Sequence, residues 1–176
     1  MQAETKDFSF HLPATDGRSY SLEDFQGKRG VVVVFTCNHC PYAVAYEQRL
    51  IALHRDFEAE VPLIAISSND AERYPQDSFY MMKVRAAQRD FPFAYCYDES
   101  QEVARNYGAV RTPEAFLLDL SGDHPRLVYS GAIDDNYQFP HHVSQRYLAD
   151  AIRKMLAGLY IEIERMPAVG CSVKWK

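Results

Sequence analysis

The segment Val31-Val-Val-Val-Phe-Thr-Cys37-Asn38-His39-Cys40-Pro41-Tyr42 joins two different patterns. Val31 to Phe35 is a continuous β-branched run, the signature of a strand buried on both faces. Pro41 suits the first turn of a helix, and Ala43, Leu50, Ile51, Leu53 and Phe57 predict that helix over about 40–57. Cys37 and Cys40 stand at the junction, separated by two residues. That spacing lets a disulfide close across one turn. A helix N-terminus offers unpaired backbone N–H groups and a positive dipole end, and both favour a thiolate. Cys37 is therefore expected to be the nucleophile and Cys40 the thiol that resolves a mixed disulfide. A CxxC alone is moderately specific; at the strand-to-helix junction of a βαβ unit it is a strong redox signal. His39 is the candidate for tuning: an imidazolium there would stabilise the Cys37 thiolate, and a neutral exposed ring would not.

Around this junction the chain alternates strands and helices. Phe8, Phe10 and Leu12 alternate with polar residues, and Asp16-Gly17 is a turn signal, so an N-terminal hairpin is expected. Ser21-Leu-Glu-Asp24 has capping-box spacing, ended by Gly27. Residues 62–67 read as a second buried strand, 78–91 as a helix and 93–97 as a short strand. A short helix over 100–107 takes Ser100 as N-cap and Gly108 as C-terminal cap. Residues 115–120 and 127–131 flank a turn and read as a hairpin. A final helix is expected over 143–160, and the tail 166–176 has no assignable pattern. The order is that of an α/β sheet flanked by helices, read as a single domain over 1–176.

Composition excludes several classes. The chain has 176 residues, 47% hydrophobic and 24% charged, which suits one packed core and excludes bulk disorder. The net charge of -5 argues against nucleic acid and anionic lipid as partners. The start, MQAETKDFSF, has no basic n-region and no apolar h-region, and no apolar run approaches a membrane span. A cytoplasmic location with no membrane partner is the expectation. Four cysteines at uneven spacing do not read as a secreted disulfide scaffold. Cys96, between Tyr95 and Tyr97, reads as packing. Cys171 has two readings: a third redox cysteine with Lys174 and Lys176 nearby, or a tail residue packed with Trp175. No metal is expected, since there is no second paired motif and Asp134-Asp135-Asn136 lacks the rest of a calcium loop.

The second marker is Thr112-Pro113 before the apolar run 115–118. Together with the CxxC it carries a resemblance. Residues 36–42 (TCNHCPY), 68–70 (SND), 74–79 (YPQDSF), 91–99 (FPFAYCYDE), 107–119 (YGAVRTPEAFLLD), 131–136 (GAIDDN) and 170–176 (GCSVKWK) resemble the thioredoxin-like superfamily. Within it they are similar to the redoxin, AhpC/TSA-like (peroxiredoxin-like) thiol oxidoreductases. The resemblance covers nearly the whole chain. It implies a thioredoxin-like fold with a central mixed sheet, and Cys37 and Cys40 as the redox pair. It also implies a cis Pro113 against that pair, and a Thr112 backbone that pairs with an extended substrate peptide.

Three departures limit what the resemblance transfers. Val31 stands where thioredoxin has a buried carboxylate, and Ala43 where membrane-tethered reductases have a glutamate. Glu47, Glu99 or water is left to accept a proton. A peroxidase would carry Thr or Ser three residues before its reactive cysteine; those positions are Val34 and Cys37, and Arg111 is the nearest motif cation. The resulting expectation is a thiol-disulfide oxidoreductase acting on protein or small-molecule disulfides, recycled by an upstream thiol reductant. It needs no bound cofactor, because the dithiol carries the electrons. The alternatives are a thiol peroxidase with antioxidant activity and a non-catalytic redox-sensing module. Oligomeric state is not legible.

Overall fold

The structure, a computed structural model, describes residues 6–176. Residues 1–5, where the stretch read as carrying no leader begins, lie outside the described residues. β1 (His11–Pro13) and β2 (Ser19–Ser21) form the expected hairpin. A short 3-10 turn, Leu22–Phe25, follows, and Asp24 accepts the Ser21 N–H at 2.8 Å as the capping box requires. Then come β3 (Gly30–Phe35), α1 (Pro41–Phe57), β4 (Leu63–Ser67), α2 (Phe79–Gln88) and β5 (Ala94–Tyr97). α3 (Glu102–Tyr107), β6 (Arg111–Thr112), β7 (Glu114–Asp119) and β8 (Arg126–Gly131) follow. The chain ends with α4 (Tyr147–Ala157), β9 (Arg165–Met166) and β10 (Cys171–Ser172).

The main sheet has the order β5-β4-β3-β7-β8-β9. β4 is parallel to β3 and β5, while β7 is antiparallel to β3 and β8. This is the mixed central sheet that was expected, with helices on both faces. The β3 run explains it. Val32 and Val34 point into a core built with α1, α2 and α4, and Val31, Val33 and Phe35 point into a second core with α3 and the hairpin. All six β3 residues are buried. Each such side chain contributes roughly 1.5–3 kcal/mol relative to exposure. Phe8, Phe35, Tyr107 and Phe116 meet edge to face at 5.2–5.6 Å and tie the second core together.

Several boundaries differ from the sequence expectation, each for a local reason. The first strand is only His11–Pro13, although Phe8 and Phe10 are buried as expected. The N-cap of α3 is Gln101 in a left-handed conformation (φ 67°), not Ser100. The buried Asp98 carboxylate supplies the cap instead, accepting the Ala104 N–H at 3.0 Å and the Val103 N–H at 3.4 Å. α4 is shorter than 143–160. The Asp135 carboxylate holds Ser144 in the preceding loop through its N–H at 3.0 Å and its hydroxyl, and Gly158 in a left-handed conformation (φ 68°) ends the helix. The tail, unassigned from sequence, carries two short strands.

Candidate active site

The site lies where β3 gives way to α1. Thr36 still belongs to the sheet, its N–H donating to Ile66 O at 2.8 Å. Cys40 is the N-cap residue of α1, with Pro41 in the first turn. The Thr112–Pro113 peptide is cis, as the resemblance implies. It is held from behind by Glu114, whose buried carboxylate accepts the Val110 and Arg111 N–H groups at 2.8 and 3.0 Å. Cys37 Sγ is 3.7 Å from Thr112 Oγ1, and Cys40 Sγ is 3.4 Å from Thr112 O. All four cysteines are free thiols. Cys37 is 3% exposed and Cys40 0%.

The two thiols act directly on each other, so ionising one favours the proton on the other. The Cys40 thiol is pulled down to about 4, first by Cys37, then by the Cys171 side chain and the backbone N–H groups of Ala43 and Cys171. No strict side-chain capping bond forms there, but the N–H dipoles of the helix start still favour the anion. Cys37 is pushed up by Cys40, by burial and by the Asp77 carboxylate. The expectation placed the thiolate on Cys37; in the reduced pair the surroundings favour the anion on Cys40. The reason is positional: Cys40, not Cys37, caps the helix, and a carboxylate faces Cys37. The opposite arrangement is also provided for. When Cys40 holds the proton, Thr112 O accepts its S–H, and a Cys37 thiolate is met by the Thr112 hydroxyl and the Cys40 N–H.

Asp77 is the site residue that sequence reasoning missed. It is fully buried in a 3-10 turn, Pro75–Asp77. Its oxygens accept the Asn38 N–H at 2.8 Å and the Asn69 side-chain amide at 2.9 Å, and its Oδ2 contacts His39 Nδ1. His39 stacks on Tyr74 at 5.5 Å. His39 thus meets Cys37 through a shared carboxylate rather than alone. The only signal in the sequence was an acidic residue in the YPQDSF segment, with nothing to say that it turns inward. Of the proton acceptors considered from sequence, Glu47 is buried but bound to Arg85 at 2.8 and 2.9 Å, and Glu99 is exposed.

The ligand-type atoms of Cys37, His39 and Asp77 lie within 4.8 Å of one another, the group among the described residues able to approach a metal. Asp77 already accepts two hydrogen bonds, and the Cys37 sulfur is bonded to the Thr112 hydroxyl. That bonding suits proton handling better than a tetrahedral metal, which wants four free donors.

The tail enters the site. Cys171 pairs with Thr112 and Ser172 with Arg111 in an antiparallel ladder. The Thr112 backbone, expected to pair with a substrate strand, pairs here with the chain's own C-terminus. Cys171 packs against Cys37 and Cys40, while Trp175 packs elsewhere, under the Arg105 guanidinium at 4.6 Å. Cys96 lies in mid-strand in the second core, as expected of a packing residue.

Known proteins share this fold. An uncharacterized conserved protein from Geobacillus kaustophilus, solved by crystallography, superposes with a TM-score of 0.88 at 35% identity, over 98% of this chain and 94% of that one. The exposed lipoprotein thioredoxin of Streptococcus pneumoniae superposes with a TM-score of 0.64 at 20% identity, over 86% of this chain and 99% of that one. The fold is thus thioredoxin-like. The thiol-disulfide oxidoreductase ResA of Bacillus thuringiensis is 26% identical over 117 residues, 65% of this chain and 62% of that protein. This chain therefore spans less than two thirds of that curated relative's length. No helix among the described residues is long and apolar enough to cross a membrane. The AhpC/TSA family pattern runs through residues 3–123, taking in the cysteine pair and the cis-proline alike, and the chain belongs to that family.

Proposed function

We propose that the protein is a thiol-disulfide oxidoreductase that works through Cys37 and Cys40. The observation that carries this is the placement of two free thiols at a helix start against the cis Thr112–Pro113 peptide, with Cys37 Sγ 3.7 Å from Thr112 Oγ1 and Cys40 Sγ 3.4 Å from Thr112 O. A dithiol that holds one negative charge near neutral pH is poised for exchange. ResA, which bears the name of such an enzyme, is similar over 65% of this chain. Substrates are protein or small-molecule disulfides, and an upstream thiol restores the dithiol.

The steps follow from the geometry. Cys37, the less covered sulfur, passes its proton to the Cys40 thiolate, whose S–H then donates to Thr112 O. The Cys37 thiolate attacks one sulfur of the substrate disulfide. A Cys37–substrate bond forms, the substrate S–S bond breaks, and the first half leaves as a thiolate. Cys40 then attacks Cys37 Sγ, closing Cys37–Cys40 and expelling the second half, which takes the Cys40 proton. Two electrons have passed to the substrate. The same pair run backwards oxidises dithiols.

A peroxidase needs a cation beside its reactive sulfur to polarise the peroxide. The charge acting on Cys37 is the Asp77 carboxylate, and Arg111 is exposed and acts on Cys171. The charges therefore favour exchange over peroxide reduction. The direct test is insulin reduction driven by dithiothreitol. Cys37→Ser is expected to abolish it, and full activity in that variant would refute the assignment.

A further inference from the structure

The C-terminal segment is seated across the site. β9 adds to β8, pairing Ser130 with Arg165 and Gly131 with Met166. β10 then adds to β6, pairing Cys171 with Thr112. Two glycines admit this course. A Cβ at Gly131 (φ +121°) would stand 1.7 Å from Met166 O, and one at Gly170 would stand 2.1 Å from Thr112 O. Beyond Cys171 the segment is pinned. Val173 N–H donates to Val110 O at 3.0 Å, and Lys174 N–H donates to Asn69 Oδ1 at 2.9 Å. Lys174 O accepts the Asp70 N–H at 2.8 Å and the Gln101 side-chain amide at 2.9 Å. Val173 itself is buried. Such a density of backbone and side-chain bonds marks a docked strand, not a loose terminus. The family match ends at residue 123, before this segment.

We propose that Cys171 is a third redox cysteine, carried by a resident strand on the cis-proline edge, which takes over the disulfide from Cys37–Cys40 by internal exchange. The step rests on Cys37 and Cys40 being a redox pair. Once the pair is oxidised, the Cys171 thiolate attacks Cys40 Sγ. The Cys40–Cys171 bond forms and the Cys37–Cys40 bond breaks. Its electron pair goes to Cys37, which takes up the proton that Cys171 gave up. One disulfide becomes another, so no outside oxidant or reductant enters.

Two observations support the step besides position. Cys171 packs against the cluster formed by Cys37, Cys40 and Ala43. Its thiol is pushed up to about 11 by burial, by the Cys40 side chain and by the Cys40 charge, while Lys174 and Arg111 pull it down. When Cys40 enters a disulfide it has no charge and accepts no proton. Two of the three causes that hold Cys171 protonated then vanish, and the two cations remain. The nucleophile is freed when there is a disulfide for it to attack. Burial and the Asp77 carboxylate still favour a protonated Cys37 then, which makes it a fitting receiver for the proton.

Disulfide mapping tests this. The full chain is equilibrated in buffers of reduced and oxidised glutathione, quenched with acid and N-ethylmaleimide, digested, and analysed unreduced by mass spectrometry. Wild type is expected to yield both a Cys37–Cys40 and a Cys40–Cys171 peptide. Cys171→Ser should keep only the first, and Cys37→Ser only the second. Gly170→Val, which drives the strand off Thr112 O while leaving every cysteine in place, should lose the Cys40–Cys171 peptide and keep Cys37–Cys40. Absence of a Cys40–Cys171 peptide from wild type at every buffer ratio overturns the proposal, as does its persistence at wild-type yield in Gly170→Val. Insulin reduction is followed alongside. Retained turnover in Cys37→Ser would remove the redox pair itself. A missing Cys40–Cys171 peptide with turnover lost in Cys37→Ser removes only the Cys171 step.

Discussion

Cys40 and Cys96 are equally buried, both at 0% exposure, yet their thiols move in opposite directions. Cys40 is pulled down to about 4 by Cys37, then by Cys171 and the backbone N–H groups at the start of α1. Cys96 is pushed up to about 12 by burial and, to a lesser degree, by the Asp16 carboxylate. It sits in mid-strand among apolar side chains, where the backbone N–H groups are committed to the sheet. Burial therefore does not decide whether a cysteine is reactive. Burial without donors favours the neutral thiol, and burial among donors favours the anion.

The largest expected effect breaks that contrast by removing the donor-rich thiol. Cys40→Ser should reduce steady-state insulin turnover by roughly 100-fold or more, because mixed disulfides can no longer be resolved internally. A covalent adduct on Cys37 should accumulate and be visible by intact mass. Turnover within a few-fold of wild type would show that an outside thiol resolves as well as Cys40 does.

The next effect concerns stability. A thiol whose folded pKa is depressed stabilises the fold above its unfolded value near 8.5, and that contribution fades as pH falls toward about 4. Cys37 has the opposite sign: its contribution is present below the unfolded value and is lost as pH rises past it. Reduced wild type should therefore gain on Cys40→Ala as pH rises from about 4 to 8.5 and lose ground above. Urea unfolding of the reduced proteins across that range measures it. A difference independent of pH would mean that Cys40 is neutral in the fold.

Asp77→Asn sharpens the contrast within the site. It removes the charge that opposes a Cys37 thiolate while leaving oxygen and nitrogen atoms to hold Asn38 and Asn69. The pH at which Cys37 reacts with iodoacetamide should fall by about one unit. A rise instead would show that Asp77 acts mainly by holding a protonated His39 in place. The smallest effect belongs to Cys96→Ala. Insulin turnover should stay within about twofold, and the small cavity should cost about 1 kcal/mol in urea unfolding. A large loss of turnover with stability intact would give Cys96 a role that its surroundings do not suggest.

Much of this was legible in the chain itself. The unbroken run Val31–Phe35 required a strand covered on both faces, and alternation split its side chains between two cores. Pro41 and the spacing of Cys37 and Cys40 placed a thiol pair at a helix start, and Thr112-Pro113 marked the second wall. These are short-range facts, because a β-branched run, a fixed proline φ and a two-residue spacing act on their own neighbours. Differences were local too: the Ser100 hydroxyl accepts only the Glu102 N–H, while Asp98 reaches the Val103 and Ala104 N–H groups from further back.

Which thiol holds the charge was decided by folding. Asp77 approaches Cys37 from a turn that sequence spacing does not relate to it, and Cys171 reaches Cys40 only because the tail pairs with Thr112. Both are long-range contacts, and electrostatics depends on distance in space, not along the chain. The sequence alone determined that there is a strand–CxxC–helix corner in an α/β sheet, because local sterics and periodicity suffice for that. Only the tertiary structure decided that the corner contains three cysteines and a carboxylate, because the glycines that admit the tail have meaning only once Met166 and Thr112 stand against them.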